Sequence, residues 1–158
     1  MKELLSSQYE LVKGARGALF AYCATTGQDF FKPVQTFNNN SILDLLVHII
    51  NTYISWLDNF GLDGSRAFHG NKDAQTLYQI KTIFDEVDLM VNDFLEKYSD
   101  NYQVSVTKHI ERKGITLTLS PLQLFTHVIT HEFHHKGQIL TMSRLLGYTP
   151  VDTDIIRF

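Results

Sequence analysis

The stretch "THEFHHKGQIL", residues 130–140, brings His131, Glu132, His134 and His135 together within one and a half helical turns. At about 100° per residue, His131 and His135 lie roughly 40° apart on a helix and one turn along it. Two imidazoles so placed can reach a single ion from one rigid rod. Imidazole suits zinc, nickel, copper or iron, whereas calcium and magnesium prefer oxygen ligands. The same residues spell H-E-x-x-H, the pattern in which zinc peptidases use the glutamate to polarise the attacking water and take a third ligand from downstream. Here only 23 residues follow His135, none of them His or Glu, and the acidic pair Asp152 and Asp154 lies beyond the helix terminator. That context points away from an HExxH-type zinc hydrolase. Spacing alone leaves a bland alternative open, because buried histidines commonly just donate to carbonyls.

Two ligands on one helix do not make a tight site, so a third must come from elsewhere. His69 falls in the loop "SRAFHGNKD" and His109 in a strand-like stretch, while His48 sits in the middle of a mostly apolar helical segment. The polar exceptions of that segment form one stripe: Asp44, His48, Asn51, Thr52, Ser55 and Asn59. Such a stripe faces either water or a polar cavity. The His131/His135 stripe also carries Leu124, His127, Val128, Gln138, Met142 and Leu145, so it reads as an inward face with a polar middle. Two histidine-bearing faces favour the cavity.

The elements that must position these groups are four helices and one short β excursion. The first is predicted from Lys2 to about Ala24, with Leu4, Leu5, Leu11, Val12, Ala15, Leu19 and Phe20 at helical spacing. "TTGQDFFKPVQTFNNN" follows as a loop. The second helix opens at Ser41 with Asp44 in a capping-box arrangement and stops at Gly61. The third spans about Ala74 to Tyr98, with an apolar side from Leu77 to Phe94. In "YQVSVTKHIERKGITLTLS" the alternation of Val104 and Val106, then Ile115, Leu117 and Leu119, predicts a small β-hairpin. The last helix has Ser120 as N-cap, Pro121 at its first position and Gln123 completing a capping box; Gly147 ends it. The expected fold class is all-α, a four-helix bundle with a short β-hairpin before the last helix. In such bundles, side chains on facing helices build sites in the core.

With 158 residues the chain is expected to form a single domain, 1–158, able to bury a real core. Apolar residues make up 44% and charged residues 20%, which are ordinary globular values and argue against disorder. A net charge of −3, with no basic run beyond pairs such as Arg112-Lys113, gives no concentrated positive surface for phosphates, so no nucleic-acid partner is expected. The single cysteine, Cys23, excludes an intramolecular disulfide and a thiolate-rich zinc cage, and reads as a small core residue. Glu3, Gln8 and Glu10 interrupt the stretch a signal peptide would need, and no window approaches a membrane span. A cytoplasmic protein without membrane association is the expectation.

Two blocks, in order, resemble the DinB/YfiT-like metalloenzyme family of four-helix-bundle bacterial proteins. "FNNNSILDLLVHIINTYISWL" is similar to that family's second-helix block, with its central histidine and a Trp two turns later. "LFTHVITHEFHHKGQILTMSRLLGYTP" is similar to the last-helix block, where histidines four apart precede a basic residue, Gly and Gln, then Arg and Gly. Together with the bundle between them, the blocks cover most of the chain. The resemblance implies three metal ligands at His48, His131 and His135, a divalent metal ion, zinc or nickel, and open positions for water or substrate. Three neutral ligands leave such an ion strongly electrophilic, so a bound thiol ionises near neutral pH. It also implies a homodimer and a small-molecule substrate. Related proteins transfer low-molecular-weight thiols such as bacillithiol, or use mycothiol in an isomerase. The competing class is a metal-binding stress-response protein without catalysis.

Against that pattern this chain places both Glu132 and His134 between the ligands. Glu132 could serve as a base beside the ion or simply solvate the helix edge, and an offset of about 80° from the mean ligand direction favours the edge. His127 reads as a supporting histidine rather than a fourth ligand, and Gln138 as a group that orients a ligand or substrate. The N-terminal helix and the final segment "VDTDIIRF" offer apolar surface for a second subunit.

Overall fold

The computed structural model describes residues 1–157, with Arg112 by its backbone alone. Four helices carry the architecture: α1 (Lys2–Cys23), α2 (Ile42–Tyr53), α3 (Leu77–Lys97) and α4 (Pro121–Leu145). An antiparallel hairpin, β1 (Val106–Ile110) and β2 (Ile115–Leu119), precedes α4, with Val106 opposite Leu119 and Ile110 opposite Ile115. The bundle and its hairpin are as the patterning predicts. Among the described residues, no helix is long and apolar enough to cross a membrane.

Both capping boxes form. Ser41 Oγ accepts from Asp44 N at 3.2 Å, and Asp44 Oδ2 accepts from Ser41 N at 2.7 Å. Ser120 and Gln123 repeat the exchange at 3.2 and 2.8 Å. These reciprocal bonds satisfy amide donors that a helix start leaves orphaned, which fixes the phase of α2 and α4. At the far end of α4, Gly147 takes φ +93, Gly147 N donates to Arg144 O, and Tyr148 N donates to Ser143 O, both at 3.0 Å. This is the Schellman arrangement that a left-handed residue after the helix permits.

Two differences from the predicted elements bear on the site. The second helix does not run on unchanged to Gly61: past Tyr53 it widens into a π-helical segment, Ile54–Leu62. Gly61 there lies against the Phe94 ring, so near that a Cβ would stand 2.4 Å from it, and its carbonyl accepts from Lys97 and Tyr98. The wider coil thus lets the backbone press onto α3. In α1, Leu4 and Leu11 of the predicted stripe are 67% and 51% exposed, while Tyr9 and Arg16 are buried in it. The buried face runs Leu5, Tyr9, Val12, Arg16, Leu19, Cys23, an i, i+4, i+7 progression that includes a charged residue.

The core is one continuous hydrophobic cluster drawn from all four helices. Cys23 belongs to it, 2% exposed, and burial pushes its thiol up to about 12, so it is a small apolar residue rather than a nucleophile.

The polar stripe of α2 turns out to seat a loop as well as face a cavity. Asn51 holds the backbone of His69 with two bonds of 2.8 Å, Nδ2 to the carbonyl and the amide N–H to Oδ1. Asn71 donates to Asp44, and Asn59 Nδ2 reaches Arg66 O at 3.3 Å. Buried Asp58 pairs with Arg66 at 3.0 Å, and Gly64 passes so close that a Cβ would lie 2.2 Å from Asp58 Oδ2. Residues 63–73 are thereby stitched along one side of α2 and its extension.

Candidate metal centre

Capping at Ser41 and Ser120 sets α2 and α4 in phase, and the two helices pack along each other. His48 from α2 then meets His131 and His135 from α4. The His48 ring centroid is 5.0 Å from that of His131 and 4.6 Å from that of His135, and the two α4 rings are 4.3 Å apart. One nitrogen from each histidine lies within 4.8 Å of the others. Of the remaining histidines, His69 and His109 stand elsewhere: His69 is held by Asn51, and His109 pairs with Thr116 on the hairpin. His134 is exposed and stacks edge-on to His135 at 4.9 Å. His127 supports the cluster from one turn below, its ring between Trp56 at 5.2 Å and His131 at 5.7 Å.

The protonation pattern suits a cation. Gln138 Oε1 lies 2.6 Å from His135 Nδ1. An amide oxygen only accepts, so the proton of His135 stays on Nδ1 and its Nε2 lone pair faces His131 Nε2 at 3.1 Å. On the other side of the His131 ring, Nδ1 is buried with no hydrogen-bond partner. With the His131 proton on Nε2 the two nitrogens share a hydrogen bond; with it on Nδ1 both offer lone pairs to one cation. In tetrahedral zinc sites, Zn–N bonds of 2.0–2.1 Å set neighbouring nitrogens about 3.3 Å apart. The α4 pair is close to that spacing, and exposed His48 brings a third ring nitrogen within 4.8 Å of both. These residues fit a divalent ion of the imidazole-preferring kind.

Burial and mutual repulsion keep the cluster neutral. Burial first, then the neighbouring histidines, push His131 from 6.5 down to about 4, and burial lowers His48 and His135 as well. Lone pairs are therefore available to a metal at neutral pH. The same shift makes the metal-free protein acid-sensitive. Between pH 6.5 and about 4 the unfolded chain takes up protons that folded His131 refuses, so stability falls as pH drops through that window and is flat above it. We expect the Tm of chelator-stripped protein to decline from about pH 6.5 downward, and His131→Phe to flatten that decline; calorimetry across a pH series reads both. Gln138→Leu should weaken metal binding roughly 10–100-fold, because it removes the acceptor that fixes the His135 tautomer. A competition titration with a chromophoric chelator measures that change.

Glu132 departs from the edge-solvating role that its angular offset favours. It is fully buried. Its carboxylate accepts from Arg16 Nε at 3.1 Å, Arg16 Nη2 at 2.9 Å and Tyr53 OH at 2.7 Å, and pairs with Lys136 Nζ at 3.1 Å. Arg16 also donates to Asp88 Oδ1 at 2.6 Å, and Tyr9 joins the same oxygen at 2.6 Å. The offset carries Glu132 toward α1, α2 and α3 rather than water, because α4 is enclosed on that side. Burial pushes its carboxyl up, but Arg16 and Lys136 outweigh this and hold it below the usual carboxylate range. Locked in this way, Glu132 is not the water-polarising glutamate of a peptidase. It bolts the turn of α4 that bears His131 to Tyr53, one turn past His48 on α2. Nothing in the H-E-x-x-H pattern announces this role. The available signal was Arg16, a lone cation at helical spacing within an apolar stripe.

The protein YizA of Bacillus subtilis (strain 168), described as uncharacterized, is 28% identical over 123 residues, covering 73% of this chain and 71% of its own. The family model for the DinB family matches residues 1–158. With that match along its length, and histidines from α2 and α4 gathered at one place, the chain belongs to the DinB family.

Proposed function

We propose that this protein is a metal-dependent enzyme that binds a divalent ion, zinc or nickel, through His48, His131 and His135, and acts on a small molecule, in the first instance by transferring a low-molecular-weight thiol. The single observation that carries the reading is the convergence of three neutral imidazoles from two helices at a place open to solvent beside His48. When bound there, the ion supplies Lewis acidity that lowers the pKa of a thiol or a water. Gln138 holds His135 in one tautomer, and the Glu132–Tyr53 bond holds the two helices in register. A triad of this kind, without a carboxylate ligand, leaves the full positive charge of the ion to act on a substrate. The Glu132 network disfavours a zinc hydrolase that needs this glutamate as base.

The protein acts, on this reading, in the cytoplasm and as a homodimer. Leu4 and Leu11 on α1 and Ile155 and Ile156 near the end of the chain present apolar surface for a second copy; Phe158 of that segment lies outside the described residues. Elemental analysis of protein purified without added metal or chelator tests the site before any substrate is chosen. About one zinc or nickel per chain is the expected result, followed by metal-dependent turnover in a screen of bacillithiol and glutathione against electrophilic acceptors. A metal content near zero in protein refilled with either ion ends the reading.

A further inference from the structure

Two cavities meet at the histidine cluster, and they differ in which histidines they reach and in what lines them. One, of about 480 Å³, opens onto His48 and His135 and is walled by Asn38, Asn40, Asp44 and Gln138. The other, of about 370 Å³, opens onto His48 and His131 and is walled by Trp56, Phe68 and Lys113, with the polar edge of α2 between them. His48 is common to both. Two molecules held in these cavities would therefore both border His48. Each volume falls in the range that holds a small ligand.

The linings select different chemistry. The first cavity has Phe37 and Leu45 in its wall but adds three amides that both donate and accept, and one carboxylate, so it matches hydroxyl- and ammonium-bearing groups. The second offers two aromatic faces and, among the described residues, Lys113 as its one charged lining group. Aromatic faces favour a flat apolar body, and an ammonium at the rim favours an anion on it. Phe68 reaches this wall because Asn51, Asp58 and Asn59 hold its loop down.

We propose, resting on the thiol-transfer reading above, that the Trp56–Phe68–Lys113 cavity is the electrophile subsite and takes flat apolar molecules carrying a carboxylate, while the amide-lined cavity takes the thiol. In the transfer, the thiol gives its proton to water, its sulfur lone pair forms the new C–S bond, and the leaving group departs with its bonding pair, so no oxidant or reductant is needed.

Trp56 is the chain's single tryptophan, so binding in this cavity reports directly on its fluorescence. We would titrate 2-naphthoate into the protein as purified and into chelator-stripped protein, with metal content measured in parallel. Saturable quenching is expected, weakened roughly three- to tenfold by Lys113→Glu through charge reversal at an exposed pair, weakened also by Phe68→Ala, and unchanged by Asn40→Leu in the other cavity. Circular dichroism checks that each variant is folded. No saturable quenching at millimolar naphthoate, or binding by Lys113→Glu and Phe68→Ala as tight as by the parent protein, overturns the subsite. The two readings fail separately. Metal held without quenching removes the subsite and leaves the metal enzyme; quenching in a protein that takes up no metal keeps the subsite and removes the thiol-transfer role.

Discussion

Glu132→Ala is expected to lower the unfolding free energy by about 3–5 kcal/mol, the range for stripping one partner from a buried ion pair. The cause lies in what remains. Arg16 and Lys136 are 3% and 1% exposed, and both point at the carboxylate. Removing it leaves two cations in the core, with Asp88 able to serve only Arg16. Tyr53 OH also loses its acceptor, which adds the cost of an unsatisfied buried hydroxyl. Urea denaturation followed by circular dichroism measures the loss. Tyr53→Phe separates the bolt from the charge: it should cost only about 0.5–1.5 kcal/mol, the usual worth of one hydrogen bond. A loss under about 1 kcal/mol for Glu132→Ala would mean that the network is not closed as described.

His131→Ala is expected to abolish stoichiometric metal binding while leaving the bundle folded. Two imidazoles remain, His48 and His135, and they come from different helices. The i, i+4 pair that already has a ligand-pair spacing is gone. Affinity should fall by more than the roughly 10–100-fold that follows loss of a ligand's supporting group. Stability of the metal-free form should change little or rise at mildly acid pH, since His131 resists protonation in the folded state. Competition against a chelator of known affinity reads the binding, and Tm with and without zinc reads the coupling. Zinc should raise the Tm of the parent protein and not that of the variant, because only a ligand that binds the folded state shifts unfolding. Retention of full metal content would remove His131 from the site.

How far the sequence alone reaches is uneven, and the reasons are physical. Capping chemistry is local, so Ser41/Asp44 and Ser120/Gln123 marked the starts of α2 and α4 to the residue. Alternation is local too, and the hairpin at 106–119 followed from it. The meeting of His48 with His131 and His135 was legible because the histidines fall on one polar stripe of each helix, a matter of angular phase, and α2 and α4 pack along each other; that His48 stays on the exposed side of the pair was not. The fate of Glu132 was not legible. An angular offset says which way a side chain leaves its own helix and nothing about what stands there; the answer depended on Arg16, 116 residues away. The widening of α2 past Tyr53 was hidden for a similar reason, since "ISWLDNFGL" has ordinary helical patterning and the contact at Gly61 is with Phe94 of α3.

The stitching of residues 63–73 onto Asn51, Asp58 and Asn59 has a consequence for how such a scaffold can diversify. The anchors are side chains of the rod, and two of them grip backbone atoms of the loop rather than its side chains. New sequence can therefore be grafted at Phe68 and its neighbours without disturbing the imidazoles or the packing beneath. If the triad holds an ion and the Phe68 cavity a substrate, as proposed, selectivity and ion chelation would be inherited through separate parts of the chain, so that one could be recombined while the other is kept.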